Sequence, residues 1–408
     1  MRTARVQREA DGMQVPPNHG HMEWIRRACL PAAAAFVLVL TCSPVAARTS
    51  TGTWSPAAGL HDAHDHAAAT LLRDGRVLVA GGDGDGIDRA SAEIYDPASN
   101  HWSRTGALRT PRSDASATAL ADGRVLVAGG GDAGAVLSSA EVYDPATGTW
   151  TTTRPMTTRR EGQTATRLPN GTVLLAGGFD GEHFLGSAEV FDPSTGAWTP
   201  TSPMTAPRFG HTATLLKDGR VLVAGGYALD QAATLPPVWD SPRIPPSQHA
   251  DGPAAELYDP RLGAWMPTRA MGTARAAHTA SLLTDGRVLV AGGTNPATGT
   301  QLASCELFDP AGGGWKDTGS MDGARALHTA TVLPDGSVIV AGGYRLGDGS
   351  LSSAELYDVP GGVWVAAPGM PRPLSPASAT ALLGGGVLVV GGDESSGHTT
   401  GEAAIFHS

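Results

Sequence analysis

The sequence predicts an all-β fold: a seven-bladed β-propeller of four-stranded antiparallel blades, the last blade closed by the N-terminal strand near Trp54. Three recurrences within the 408 residues carry this reading. Gly-Gly pairs begin at Gly81, Gly129, Gly177, Gly225, Gly292, Gly342 and Gly391, so successive spacings are 48, 48, 48, 67, 50 and 49 residues. Tryptophans at Trp54, Trp102, Trp150, Trp198, Trp265, Trp315 and Trp364 repeat the same spacings. A third motif runs Glu93-Ile94-Tyr95-Asp96-Pro97, with copies starting at Glu141, Glu189, Glu256 and Glu306; the copy at Glu355 lacks the proline, and the last decays to Ala404-Ile405-Phe406-His407. A fixed period of this length marks radial or solenoid repetition, in which each unit buries its apolar face against the next.

Each unit reads as four strands. In residues 211–266, His211–Leu216 is the first strand, and Asp218-Gly219 turns it back. Asp-Gly suits the positive φ angles of a type I′ hairpin turn. Arg220–Ala224 is the second strand, a nearly continuous apolar run of the kind buried on both faces. Gly225-Gly226 ends it. Glu256-Leu257-Tyr258 forms the third strand, which Asp259-Pro260 stops because proline cannot continue the hydrogen-bonded ladder. Ala264-Trp265-Met266 begins the fourth. The turn recurs at Asp74, Asp122, Asn170, Asp285 and Asp335 and becomes Gly384-Gly385 in the last unit. Abundant glycine (54), frequent proline (30) and only 17% charged residues suit many short strands and tight turns.

The ends complete the topology. Trp54 belongs to a fourth strand, whereas Ser408 follows a third strand. The N-terminal strand is therefore expected to complete the last sheet, leaving no open edge in the ring. Residues 1–47 read as an N-terminal extension with an export signal: Arg26-Arg27, the apolar stretch Cys29–Thr41, and small residues at Val45-Ala46-Ala47. The apolar run is too short to span a bilayer. The expected location is secreted or periplasmic, with Met22 an alternative start and lipidation at Cys42 an alternative that Thr41 disfavours. Cys305 would then be the single cysteine of residues 48–408, leaving no internal disulfide. The formal charge is −10; without residues 1–47 it is 24 − 36, or −12, which argues against nucleic acid and anionic membranes as partners. A monomer is expected.

The Gly-Gly pair, the third-strand aromatic and the spaced tryptophan resemble the kelch-repeat β-propeller family over roughly residues 52–408. The resemblance implies the fold and leaves function open, because function resides in sites grafted on folds. Enzymes on this fold include galactose oxidase-like proteins and sialic-acid mutarotases. The oxidase copper site, as the resemblance implies it, needs two tyrosines, two histidines and a cysteine cross-linked to one tyrosine. Here four tyrosines occupy the repeated third-strand slot, and Cys305 lies in a third strand, so the copper site is not expected. No cofactor is expected on that ground. No Ser-His-Asp order, zinc signature or phosphate loop is found.

Antiparallel pairing puts the approach to the first strand and the exit from the Gly-Gly pair on one face, the expected ligand face. One position on the approach reads His64, Arg112, Arg160, Arg208, Arg275, Arg325, Leu374; three residues later it reads Ala67, Ala115, Gln163, His211, His278, His328, Ala377. The arginines and histidines could form a basic ring that grips a carboxylate or hydroxyl-rich ligand. Equally, each arginine could pair with the third-strand glutamate, and each histidine could bond backbone. The 67-residue unit places a long proline-rich loop, residues 227–253, on the same face, and its Trp239 could stack on a sugar ring. His61, His64 and His66, with Asp83, Asp85 and Asp88, are candidates for calcium or a transition metal, although the spacing matches no EF-hand. The functional expectation is a binding module for a saccharide or a protein surface, with a carbohydrate-active enzyme, mutarotase- or oxidase-like, as the alternative.

Overall fold

A computed structural model describes residues 52–84, 86–228, 254–393 and 399–408, all within the unit Arg48–Ser408. The export segment with Cys42, the metal candidate Asp85, Trp239 and residues 229–253 of the expected loop lie outside the described residues. The described chain forms seven four-stranded antiparallel sheets, arranged as the repeat implies. Blade 1 comprises Ala68–Leu71, Val77–Ala80, Ala92–Asp96 and His101–Arg104, paired in that order. Blades 2 to 6 repeat it, their first strands being Ser116–Ala119, Thr164–Arg167, Thr212–Leu215, Thr279–Leu282 and Thr329–Val332. Blade 7 takes three strands from the C-terminal end and its fourth, Thr53–Pro56, from the N-terminal end. Among the described residues no helix is long and apolar enough to cross a membrane.

Packing follows from the pattern of each strand. The second strands, such as Val125–Ala128, are buried along their whole length, as their unbroken apolar sequence requires. Adjacent blades share seven apolar clusters, one per junction; the junction of blades 7 and 1 contains Val77, Tyr95, Leu388 and Ile405. The first strands touch their neighbours all the way round, including the first against the last, so they surround the central axis. The Gly-Gly pair lies where blades meet. The Gly226 amide donates to the Arg275 carbonyl of the next blade at 2.9 Å, and a Cβ on Gly225 would overlap that carbonyl. The pair therefore permits close approach between blades as well as ending a strand.

The Asp-Gly turns differ from the type I′ expectation. Gly75 has φ +91°, but Asp74 is not in the left-handed region; Gly75 N donates to Leu72 O (3.1 Å) and Leu72 N to Arg76 O (2.8 Å). This is the three-residue connection, a type I turn followed by a left-handed glycine. Asp74 Oδ1 accepts from Arg76 N at 3.1 Å, and such aspartate-to-backbone bonding favours this form over the mirror-image turn. In all seven blades the residue approaching the first strand bridges the residue after the Gly-Gly pair, from Asp65 with Asp83 to Ser375 with Asp393, which places both segments on one face. In blades 1, 2 and 6 the exit continues as a small hairpin, Asp83–Gly84 with Ile87–Asp88 in blade 1.

Candidate functional site at the channel mouth

The repeated arginines belong to the blade frame. Arg112 donates from Nη1 to Gly129 O (2.8 Å) and Ser139 O (3.1 Å), and from Nη2 to Glu141 Oε1 (3.0 Å). Glu141 also accepts the backbone amides of Arg109 and Thr110, so one buried ion pair binds the approach loop, the Gly-Gly exit and the third strand. The same arrangement joins Arg160 to Glu189, Arg208 to Glu256, Arg275 to Glu306 and Arg325 to Glu355 at 2.9–3.0 Å. These arginines are 0–2% exposed and present no donor to a ligand. Pairing with the third-strand glutamate, not a basic ring, is what the fold uses.

Blades 1 and 7 show how the pair varies. His64 fills the arginine slot and contacts Gly81 O through Nδ1 at 2.6 Å, while Glu93 is held by His61 Nδ1 (2.6 Å) and the amides of His61 and Asp62. Burial opposes the Glu93 charge, but His64, His61 and those amides hold its pKa at about 2. In blade 7 both partners change together, to Leu374 and Ala404.

The repeated histidines fasten neighbouring blades. His211 Nε2 lies 3.0 Å from Thr164 Oγ1, His278 Nε2 3.0 Å from Thr212 Oγ1 and His328 Nε2 2.9 Å from Thr279 Oγ1. Gln163 does the same in blade 3, donating to Ser116 Oγ and Ala128 O. Burial, with the nearby arginine charge, lowers His211 and His328 to about 3 and takes His278 well below its usual value, so these rings are neutral.

Inside this uniform frame, the mouth is not uniform. The approach position reads Asp65, Ser113, Glu161, Phe209, Ala276, Ala326, Ser375, and its bridge partners are Asp83, Gly131, Phe179, Tyr227, Thr294, Tyr344, Asp393. The next approach residue is left-handed in blades 1 to 6 (His66, Asp114, Gly162, Gly210, Ala277, Leu327), and the chain there links blades, Asp114 N to His66 O at 3.1 Å for example. Four of those positions are not glycine, a conformation uncommon for residues with a Cβ and concentrated at functional rims.

One side of the mouth is acidic. His66 Nδ1 lies 3.0 Å from Asp65 Oδ2 and 3.9 Å from Asp83 Oδ1; among the described residues His66 is the only cation that pairs with these acids. Burial works against the His66 charge, but Asp114, Asp65 and Asp83 raise it well above the usual histidine range. Burial and the neighbouring Asp65, Asp83 and Asp88 raise the Asp114 carboxyl, against the pull of His66, and burial with Asp65 raises that of Asp393. Glu161, 6% exposed, is pushed up to about 7 by burial and by Asp114 and Asp88. The other side is aromatic. Phe184 stacks on Phe209 at 5.5 Å and meets Phe179 edge-on at 6.0 Å. Phe209 covers Gly162, where a Cβ would overlap its ring, and half-buried Tyr227 closes on Gly210.

Among the described metal candidates that the sequence suggests, the fold brings His66 beside Asp83, and His61 and His64 together on Glu93. His61 and His64 serve Glu93, and Asp88 Oδ2 accepts from Ala133 N of the neighbouring hairpin at 2.7 Å. Asp65, Asp114, Glu161, Asp393 and Phe209 were not among the candidates. Their signal lies in the same internal alignment, in the columns that change from blade to blade.

Comparison with known proteins agrees with this architecture. The family model described as the KLHDC2/KLHL20/DRC7 Kelch-repeats domain matches residues 47–226. Comparison with curated proteins gives no match. A solved structure described as a novel fungal alcohol oxidase with catalytic diversity among the AA5 family, in complex with copper, is similar with a TM-score of 0.68 at 18% identity, covering 87% of this chain and 76% of that one. The similarity is one of fold. Tyr95, Tyr143, Tyr258 and Tyr357 are buried against their blades' tryptophans, with ring centroids 4.9–5.1 Å apart. Cys305 is buried in its third strand, its thiol pushed up to about 11 by burial.

Proposed function

From a kelch-repeat propeller whose arginines and histidines are committed to its frame, we propose a binding module that takes a saccharide at the channel mouth. One observation carries this reading: at equivalent positions of seven near-identical blades, acids gather on blades 7 to 3 and aromatic rings cluster on blades 3 and 4, with Tyr344 on blade 6. Carboxylates accept hydrogen bonds from sugar hydroxyls, and an aromatic face packs on the apolar side of a sugar ring. With the arginines buried, a neutral or amino sugar suits the site better than an acidic one. The export signal read in residues 1–47 supports action outside the cytoplasm.

The test is calorimetric titration of the full chain with neutral, amino and acidic sugars. Saturable binding of a neutral or amino sugar, weakened about tenfold or more in Phe209→Ala and unchanged in Asp218→Asn on a turn of the opposite face, supports the module. A flat response across the panel overturns it. Turnover is the second reading, favoured by one group: a Glu161 carboxyl at about 7 is tuned as general acids are. Conversion of the bound sugar, abolished in Glu161→Gln with binding retained, would select it.

A further inference from the structure

The acidic side of the mouth contains a second feature, independent of any sugar. Asp65, His66 and Asp83 each offer one ligand atom, and the three atoms lie within 4.8 Å of one another. A single ion at coordination distances of about 2.0–2.6 Å spans such a triangle with only small side-chain movement. Two carboxylate oxygens in this corner lack hydrogen bonds. Asp83 Oδ1 and Asp393 Oδ1 are both buried and neither has a hydrogen-bond partner. Asp393 faces Asp65, His66 and Asp83 across the junction of blades 7 and 1. A buried carboxylate oxygen without a hydrogen bond is costly, and a cation at this corner would supply what Asp83 Oδ1 lacks.

The other group of metal-type residues, Asp62, His64 and Glu93, does not compete. Its Glu93 already receives His61 and two backbone amides, and Asp62 pairs with Arg104 at 2.8 Å. Those donors complete a frame contact and leave no open position.

We propose that Asp65, His66 and Asp83 bind one divalent metal ion at the rim of the channel mouth. The mixed imidazole and carboxylate set selects a first-row ion of the zinc or manganese type over calcium, which prefers oxygen alone. His66 and Asp83 are partly exposed, which leaves the ion accessible to solvent.

The experiment titrates the full chain, stripped with chelator, with Zn2+, Mn2+ and Ca2+ in separate calorimetric runs without sugar. The expected result is one saturable equivalent of Zn2+ bound more tightly than Ca2+. Affinity should fall about tenfold or more in Asp83→Asn and in His66→Asn, which keeps a residue tolerant of the left-handed backbone. His183→Asn, an exposed histidine elsewhere, should change nothing. Metal-free circular dichroism and unfolding midpoints verify that the variants fold, and Asp65→Asn replaces any that does not. No saturable equivalent, or equal zinc affinity in wild type and both site variants, overturns the proposal. Sugar binding is read separately, so loss of one leaves the other standing.

Discussion

Glu161 and His211 stand near the same mouth, yet should pull stability in opposite directions with pH. The folded Glu161 carboxyl is raised from 4.5 to about 7, so between those values the folded chain holds more protons than the unfolded one, and stability falls as pH rises. Glu161→Gln should therefore stabilise the metal-free chain above pH 7, by up to about 3 kcal/mol, and make little difference below pH 4.5; urea unfolding at both pH values checks this. His211 and His328 are lowered to about 3, so the unfolded chain holds more protons between that value and the usual 6.5. Stability present above 6.5 is lost as pH falls through that window. Replacing His211, His278 and His328 by glutamine, the residue that already makes this contact at Gln163, should flatten the acid limb of the unfolding midpoint against pH. The histidine and arginine slots were legible in the sequence because they recur. Their roles were not, since a repeated cation fits a ligand ring as well as a buried pair until the glutamate partner's distance is known. Asp114, Glu161 and Asp393 were missed for the converse reason: each stands in a column that does not repeat.

The arginine–glutamate pair is the unit that makes a blade of four short strands. Removing one partner leaves the other charge buried, so Arg275→Leu should destabilise the chain by about 3–5 kcal/mol in denaturant titrations. The double change Arg275→Leu with Glu306→Ala copies the Leu374 and Ala404 of blade 7 and should recover part of that loss. Recovery stays partial because Gly272 N and Thr273 N lose the acceptor that Glu306 provides. The tryptophan marker has an equally local cause. Trp102 Nε1 donates to Ala58 O at 2.6 Å and Trp150 Nε1 to Gly106 O at 2.6 Å, each ring fastening the segment that leads into its own blade. Strand order followed from these markers alone. The turn type did not, because Asp-Gly fits both the mirror-image turn and the three-residue turn, and the aspartate's bond to the following amide decides between them.

On the scale of the molecule, the ring depends on one junction of distant segments. Thr53–Pro56 pairs with Ala403–His407, Trp54 Nε1 donates to Pro368 O at 2.7 Å, and the Trp54 and Phe406 rings lie 5.3 Å apart. Deleting residues 52–57 should strip blade 7 of its outer strand and expose an edge. The expected outcome is a lower, broader thermal transition with concentration-dependent aggregation, read by calorimetry and light scattering. The chain-end markers made this closure legible; the mouth, where near-identical blades carry different side chains, became legible only in three dimensions. The closure also sets an order of events during synthesis. Residues 403–407 are made some 350 positions after the strand they must meet, as the Ser55–His407 contact spans 352. A nascent chain can therefore stack blade upon blade as it is translated, but the circle stays open until residues 403–407 emerge.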